Sequence, residues 1–208
     1  MSQLPPIITP DLLTQIRTHP LLRPKTWDII SAVTLSILNR PDEIPKIYTT
    51  SLSTLPPLSD EVQEHAEKLQ LTRRMREALL KVAAVGGFPK TINALMELKS
   101  CTSPALLDAA SSSSASPTSR TSELRSNPSA ILSRGKAFFD AVYGKVAGRV
   151  MKQLDECGAE DLGAVVRLVY GHILSDEAVL GKAETSFCMI AGLIPQDVGY
   201  CGLLEIWK

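Results

Sequence analysis

The chain has 208 residues, of which 44% are hydrophobic and only 5% aromatic. A chain of this length forms one domain or two small ones, and folding can bury roughly 70% of the unfolded surface. The 22 basic residues are balanced by 22 acidic residues, which gives a formal net charge of zero. This balance argues against a nucleic-acid-binding protein, because such proteins carry a strongly basic surface.

The sequence also argues against a membrane protein. Its longest apolar stretches have about a dozen residues, fewer than the roughly 20 that span a bilayer. The N-terminal MSQLPPIITP lacks the charged start and apolar region of a signal peptide. The C-terminal EIWK does not match the SKL-type peroxisomal signal. We therefore expect an intracellular protein, cytoplasmic by default, with peroxisomal and mitochondrial locations left open.

The cysteines and histidines show no spacing typical of a metal site or a redox dithiol. We expect reduced cysteines that pack in the interior, and neither a metal ion nor a cofactor. The residues concerned are Cys101, Cys157, Cys188, Cys201, His19, His65 and His172.

The first helices are predicted from apolar residues at helical spacing. Asp11–Arg17 is expected to form a short helix with Asp11 as its N-terminal cap. Thr26–Leu38 is apolar on nearly all sides, which is typical of a buried helix. Pro41 is expected to end that helix, since a proline disfavours the helical conformation in the residue before it.

Further helices are predicted along the rest of the N-terminal half. Asp42–Leu52 follows the buried helix and is expected to run antiparallel to it. A long helix is expected over Asp60–Val85, with its cap at Ser59 or Asp60 and its end at the glycine pair 86–87. Pro89–Leu98 then forms a helix that begins with a proline in its first turn.

Ser100–Ala130 has a different composition, rich in serine and alanine and without an aromatic residue. Such a segment buries too little apolar surface to offset its chain entropy, so we predict a flexible linker. The chain is thereby divided into an N-terminal helical half at residues 1–99, a linker at 100–130 and a C-terminal helical half at 131–208.

Three helices are predicted in the C-terminal half. Apolar residues recur every four positions over Phe138–Leu154, which indicates one helix that ends near Cys157. Asp161–Leu174 and Ala183–Leu193 follow, and Pro195 ends the last one. The residues of Asp161–Leu174 expected to face inward are Leu162, Val165, Val166, Val169 and Ile173. Because no segment alternates between apolar and polar residues, the predicted fold class is all-α.

Glu184 and Cys188 are the strongest candidate pair for catalysis. Positions four apart lie on the same side of a helix, and a carboxylate beside a thiol can relay protons in peroxide reduction. The simpler interpretation is that Glu184 favours the N-terminus of its helix and that Cys188 is a small core residue. We prefer the simpler interpretation, because the next cysteine, Cys201, does not form a CxxC motif with Cys188.

His172 is the third candidate catalytic residue, as a general base. Local spacing places no serine, cysteine or carboxylate beside it. A histidine near a helix end can instead complement the helix dipole, and we prefer this structural role.

Two stretches of the sequence resemble a known family. MREALLKVAAVGGFPKTINALMEL (Met75–Leu98) runs from a helix through a short turn with glycine and proline into the next helix. RGKAFFDAVYGKVAGRVMKQL and YGHILSDEAVLGKAETSFCMIAGLIPQD follow in the C-terminal half. These stretches resemble the carboxymuconolactone decarboxylase-like, AhpD-like superfamily, with the two-block arrangement of its fungal members. The resemblance covers about Pro24–Leu98 and Arg134–Val198.

The resemblance implies a compact all-α fold that assembles as dimers, trimers or hexamers, with one of two activities. One branch of the family reduces peroxides or disulfides through CxxC, a nearby histidine and a glutamate on the preceding helix. The other acts on small lactones or acids through a histidine on the helix after the turn. Only Glu184 falls near a functional position of the family, and neither CxxC nor the histidine helix follows Leu193.

The leading expectation is therefore a C-terminally shortened, non-redox member of this family, either a small-molecule enzyme or an inactive fold. One alternative is a thiol-dependent alkylhydroperoxidase-like oxidoreductase that uses Cys188 or Cys201. The other alternative is a helical protein-interaction module.

The same resemblance has a consequence for packing. In this fold the helix after the turn covers the Ala183–Leu193 helix, so Phe187, Ile190 and Leu193 need another cover. The N-terminal half, the C-terminal tail or another subunit can provide it. Because exposed apolar surface favours association, we expect a homo-oligomer, and the other expected partner is a small molecule of unknown identity.

Overall fold

Helices make up the regular secondary structure of the residues that this computed structural model describes, 5–22, 25–108, 120 and 127–198. The predicted all-α class is confirmed. The helices are α1 (Pro10–Thr18), α2 (Trp27–Ile37), α3 (Ile44–Ser53), α4 (Glu61–Gly86), α5 (Phe88–Cys101), α6 (Pro128–Tyr143), α7 (Ala147–Cys157), α8 (Asp161–Val169) and α9 (Lys182–Leu193). Within the described ranges, no helix is both long and apolar enough to cross a bilayer.

The chain divides into two units. The first consists of Met1–Leu107 together with Ser186–Gln196, and the second of Asp108–Thr185 and Asp197–Lys208. Helical structure extends into both ends of the predicted linker, because α5 ends at Cys101 and α6 begins at Pro128. Residues 109–119 and 121–126 of that linker lie outside the described residues.

The core of the first unit lies between α2, α3, α4 and α5, which pack against one another. The prediction that α2 is a buried helix is confirmed, since Ile29 and Val33 are completely buried. On α4, Met75 and Leu79 are also completely buried. The one polar group of Tyr48 is satisfied within this core, because its hydroxyl lies 2.8 Å from the hydroxyl of Thr72.

Two helix ends of the first unit differ from the predictions. The cap of α1 is Thr9, whose hydroxyl accepts a hydrogen bond from the N–H of Leu12 at 3.2 Å, while Asp11 lies in the first turn. Pro10 begins that helix, where the missing N–H costs nothing. α2 ends at Ile37, before Pro41, and Asn39 then turns the chain with a φ of 55°.

The long helix α4 begins as predicted. Asp60 is its cap, and the carboxylate accepts a hydrogen bond from the N–H of Val62 at 2.9 Å. The helix ends at the predicted glycine pair.

The segment Ser186–Gln196 packs into the first unit. A Cβ on Gly192 would lie 2.7 Å from a methyl group of Val82 and 2.9 Å from one of Val85, so only glycine allows this close approach to α4. The N-terminal half therefore provides cover for this part of α9. Phe187 nevertheless keeps 37% of its surface exposed.

In the second unit, the single helix predicted over Phe138–Leu154 is wrong. The chain forms two helices, α6 and α7, because Gly144 breaks the run with a φ of 51° and a 3-10 turn follows. A positive φ is accessible to glycine without the steric penalty that other residues have. The regular apolar spacing continues across this break, which is why it indicated one helix.

The predicted inward face of α8 is also wrong in part. Leu162 and Val165 are 40% and 54% exposed. After Val169 the helix widens into a π-helical turn, Tyr170–Leu174. This turn crosses α6 at a pair of glycines, since a Cβ on Gly135 would lie 2.5 Å from the backbone nitrogen of Gly171. The crossing fixes Tyr170 beside α6.

Candidate functional site

The structure places the two predicted residues Glu184 and Cys188 on α9, in different environments. Glu184 lies in the first turn, where its carboxylate accepts a hydrogen bond from the N–H of Gly181 at 3.1 Å. Cys188 is completely buried. The geometry of Glu184 fits the favourable role of a carboxylate at a helix N-terminus.

His172 lies half-buried in the π-helical turn Tyr170–Leu174. Within the described part of the chain, no group of three or more histidines, cysteines and carboxylates is placed to hold a metal ion. Cys201 lies outside the described residues.

A cavity of about 580 Å³ lies within the second unit, between α6 and α7 and beside α8 and the π-helical turn. Its volume is within the range of roughly 300–1,000 Å³ that is typical of small-molecule sites. The described residues that line it do not include Glu184, Cys188 or His172. They are Leu132, Ser133, Gly135, Lys136, Phe139, Asp140, Ala147, Gly148, Met151, Lys152, Asp155, Arg167 and Tyr170.

The cavity exists because small residues stand where two helix faces meet. Its residues recur at intervals of three or four along α6 and along α7, so each helix contributes one face. Gly135, Ala147 and Gly148 fill little space on these faces. At Gly148 an added Cβ would meet no atom within 4 Å, which leaves room there for a bound group.

Two aromatic rings form one part of the lining. Phe139 is 3% exposed, and its ring meets that of Tyr170 edge-on at a centroid distance of 4.9 Å. The hydroxyl of Tyr170 donates to that of Tyr143 at 3.4 Å. Burial, followed by the neighbouring Tyr143, raises the pKa of Tyr170 far above its usual value. The phenol of Tyr170 is therefore neutral and available as a polar group in an apolar wall.

Charged side chains form the remainder of the lining. Arg167 on α8 donates to both carboxylate oxygens of Asp155 on α7, at 2.8 and 3.2 Å. Lys136 pairs with Asp140 on the same face of α6 at 2.5 Å. An apolar cavity with a few charged groups can bind a molecule and fix its orientation.

The apolar pattern of the sequence does not indicate the cavity, because the cavity depends on the break between α6 and α7. Gly144 was the signal for this break, since a glycine inside a helical pattern can mark its end. With two helices, Gly135, Ala147 and Gly148 fall on facing surfaces.

The fold and the cavity define an all-α protein whose second unit has room for a small molecule. A protein named Peroxisomal protein 2 from Schizosaccharomyces pombe is 32% identical to the chain, over 88% of this chain and 75% of the relative. A protein of the same name from Saccharomyces cerevisiae is 29% identical, over 86% of this chain and 78% of the relative. The chain belongs to this Peroxisomal protein 2 family of fungi.

Two other comparisons give no match. No protein-family model matches the chain, and no solved structure matches it significantly.

Proposed function

We propose that this chain is a carboxymuconolactone decarboxylase-like, AhpD-like protein that acts on a small molecule without thiol redox chemistry. The observation that carries the proposal is the cavity between α6 and α7, which has the volume and the mainly apolar lining of a small-molecule site. The stretch RGKAFFDAVYGKVAGRVMKQL, which resembles that family, supplies much of both walls.

The environments of the cysteines support the non-redox part of the proposal. Peroxide reduction needs an accessible thiolate. Cys188 is completely buried, and burial raises the pKa of the half-buried Cys101, which disfavours its thiolate. Of the described cysteines, Cys157 alone is exposed, and it lies on α7.

Peroxide turnover tests this part directly. We expect the purified chain to reduce no added peroxide beyond its stoichiometric thiol content, and Cys188→Ser to behave like the wild type. Catalytic turnover that Cys188→Ser abolished would overturn the non-redox proposal and favour the alkylhydroperoxidase-like alternative.

Occupation of the cavity is tested by a ligand-detected NMR screen of small neutral and charged compounds. Gly148→Leu adds a side chain at an exposed lining position where an added Cβ would meet no atom within 4 Å, so we expect the fold to tolerate it and the cavity to become narrower. We expect the compounds that bind the wild type to lose binding in Gly148→Leu. Ala141→Leu, at an exposed position of α6 outside the lining, is the matched control and retains binding. Compounds that bind all three proteins equally would contradict the proposal.

We also propose that the chain acts in the peroxisome. The name of its relatives, Peroxisomal protein 2, supports this location. A fluorescent protein fused to the N-terminus of the chain is expected to coincide with a peroxisomal marker in yeast. A diffuse cytoplasmic signal would contradict this location.

We propose, finally, that the chain self-associates through α5. Phe88, Ile92 and Met96 recur every four residues on one side of this helix and are 63%, 53% and 64% exposed. Lys99 follows on the same side, three positions after Met96. An antiparallel pairing about Ile92 would place Phe88 of each copy against Met96 of the other. Such a self-complementary face fits a twofold homodimer.

Light scattering after size exclusion tests self-association. We expect the wild type to be a dimer or a larger oligomer, Ile92→Glu to shift to the monomer, and Val165→Glu to leave the mass unchanged. Val165 is a matched control, because it is a helical residue with nearly the same exposure, 54%. A monomeric wild type would contradict the proposal, and a stoichiometric partner from the cell that Ile92→Glu loses would favour the interaction module.

A further inference from the structure

We infer that the cavity of the second unit takes an uncharged molecule with an apolar body and one hydroxyl group, which Tyr170 binds, and that Arg134 is the residue that positions Tyr170. This inference rests on the proposed small-molecule function and adds the class of ligand and the residues that select it. The apolar body follows from the lining residues Leu132, Phe139, Ala147 and Met151.

The charged groups of the lining are already paired, which favours an uncharged ligand. Every lysine and arginine among the described lining residues lies within 3.5 Å of a carboxylate, and each carboxylate of the lining has such a partner. A charged ligand would lose its water without gaining an unpaired group of opposite charge, which costs free energy. The pairs are Lys136 with Asp140 at 2.5 Å, Arg167 with Asp155 at 2.8 Å and Lys152 with Glu156 at 3.5 Å.

Tyr170 is the residue of the lining best suited to recognise an uncharged polar group. The two uncharged polar side chains among the described lining residues are those of Ser133, at an exposed position, and Tyr170, which is half-buried. A hydrogen bond is stronger where water is excluded, so the phenol discriminates more than the exposed serine does. The hydroxyl of Tyr170 donates its proton to that of Tyr143 at 3.4 Å. The oxygen of Tyr170 is therefore left as an acceptor, and a hydroxyl on the ligand supplies the donor.

A π-helical turn sets the direction of the Tyr170 side chain. The N–H of Ser175 donates to the carbonyl oxygen of Tyr170 at 2.9 Å, five residues back, which is the hydrogen bond that defines a π-helix. A return to the α-helical pattern would remove one residue from this turn and rotate α8 and Tyr170 by about 100° relative to the chain that follows. Single π-helical turns of this kind are frequent at functional sites.

Arg134 on α6 stabilises the π-helical form of this turn. In an α-helix the N–H of Ser175 would bond to the carbonyl oxygen of Gly171, four residues back. That oxygen instead accepts from the guanidinium of Arg134 at 3.3 Å and from the hydroxyl of Ser175 at 2.9 Å. The guanidinium also donates to the hydroxyl oxygen of Ser175 at 3.0 Å. Because Gly171 and Ser175 are buried, the loss of these hydrogen bonds would leave polar groups unsatisfied in the π-helical turn.

Calorimetric titration with four probes of one chain length tests the class of ligand. 1-Hexanol and methyl pentyl ether are isomers, and only the alcohol can donate a hydrogen bond. Hexanoate and hexylammonium carry a negative and a positive charge on a similar chain. We expect the wild type to bind 1-hexanol about five-fold more tightly than the ether, the effect of one hydrogen bond. Both charged probes should bind at least about ten-fold more weakly than the alcohol.

Two substitutions test the assigned residues. Tyr170→Phe should lower the affinity for 1-hexanol to that of the ether and leave the affinity for the ether unchanged. Arg134→Gln should reduce the preference for the alcohol in the same way, and Arg134→Gln combined with Tyr170→Phe should lose no more of this preference than Tyr170→Phe alone. Arg149→Gln, which replaces an exposed arginine outside the lining, is the matched control and should keep the preference. If Arg134→Gln does not fold, Ser175→Ala removes the same hydroxyl contacts and should reduce the preference instead.

The outcomes separate this inference from the proposed function. If the probes bind, lose binding in Gly148→Leu, and show no preference for the alcohol, the cavity binds small molecules and the assigned class of ligand is wrong. The class is also wrong if a charged probe binds most tightly, or if no probe binds the wild type with a Kd below about 10 mM. An Arg134→Gln variant that weakens the alcohol and the ether equally would show a structural role without positioning of Tyr170. If all probes bind Gly148→Leu as tightly as the wild type, the cavity is not the site and the proposed function fails with it.

Discussion

The two units differ in the size of the side chains that their helices bring together. In the first unit, long and branched side chains from α2, α3 and α4 meet, and Ile29, Tyr48 and Leu79 are completely buried. In the second unit, Leu162, Val165 and Leu168 of α8 are 40–54% exposed, and small residues on α6 and α7 leave a cavity. The first unit therefore has a closely packed core of large side chains, although it also exposes Phe88, Ile92 and Met96 on α5, whereas the second unit leaves part of the space between its helices open.

The largest effect on stability is expected when one apolar side chain in each unit is shortened to alanine. Leu79→Ala is expected to destabilise the first unit by about 2–5 kcal/mol, because it leaves a cavity in a closely packed core. Val165→Ala in the second unit should change stability by no more than about 0.5 kcal/mol, since its side chain is already half in solvent. Hydrogen exchange resolved along the chain measures both effects.

Fluorescence gives an independent measurement for the first unit. In a Trp207→Phe background, Trp27 is the remaining tryptophan and lies in the buried core cluster of this unit. Its urea transition should move to lower urea in Leu79→Ala and stay in place in Val165→Ala. Equal shifts in the two variants would show that the two units do not differ as described.

How much of this contrast was predictable depends on the unit. The first unit was largely predictable, because the apolar run from Trp27 to Ile37 and the glycine pair after α4 are strong local signals. The cap at Thr9 was missed because Asp11, a good cap by composition, falls after a proline that begins the helix.

The second unit was less predictable, because its architecture depends on a helix break and a close backbone contact, both at glycines. Gly144 separates α6 from α7 although the apolar spacing continues across it. The backbone contact of Gly135 with Gly171 joins residues far apart in the sequence, and no local pattern shows such a contact. The exposure of Leu162 and Val165 likewise depends on tertiary packing, so periodicity alone assigned them to the wrong side.

The next test disrupts the contact between Gly135 and Gly171. In Gly135→Ala the new methyl group would lie 2.5–2.9 Å from backbone atoms of Tyr170 and Gly171, which cannot move aside as a side chain can. We expect a loss of about 1–3 kcal/mol in the second unit, measured by hydrogen exchange in α6 and the π-helical turn. Near-UV circular dichroism should also change, because the rings of Phe139, Tyr143 and Tyr170 are displaced.

Gly148→Ala is the matched control for this substitution. It is also a helical glycine of the second unit, but its added Cβ meets nothing within 4 Å. Stability should rise by up to about 1 kcal/mol, because alanine has the higher helix propensity. If Gly135→Ala and Gly148→Ala destabilised the second unit equally, the close contact at Gly135 would not be important for its stability.

The smallest expected effect concerns Glu43, a buried charged residue of the first unit. Glu43 is 2% exposed, and its carboxylate accepts hydrogen bonds from Arg40 at 2.8 Å, Lys46 at 2.6 Å and the N–H of Ile7 at 3.2 Å. Burial alone would raise the pKa of Glu43, but the hydrogen bonds from Lys46 and Ile7 outweigh it and hold the pKa below its usual value.

A lowered pKa means that the ionised carboxylate stabilises the fold above the pKa of the unfolded chain, about 4.3, and that this contribution is lost as the pH falls through the lower folded value. Glu43→Gln should therefore cost about 1 kcal/mol at neutral pH, since the amide oxygen still accepts one of the hydrogen bonds. Its urea midpoint, followed by Trp27 in the Trp207→Phe background, should approach that of the parent as the pH falls below about 4. Glu61→Gln, an exposed change at the start of α4, should show no such convergence. A Glu43→Gln deficit that stayed constant from pH 7 to the acid limit would show that packing, and not charge, gives Glu43 its role in the first unit.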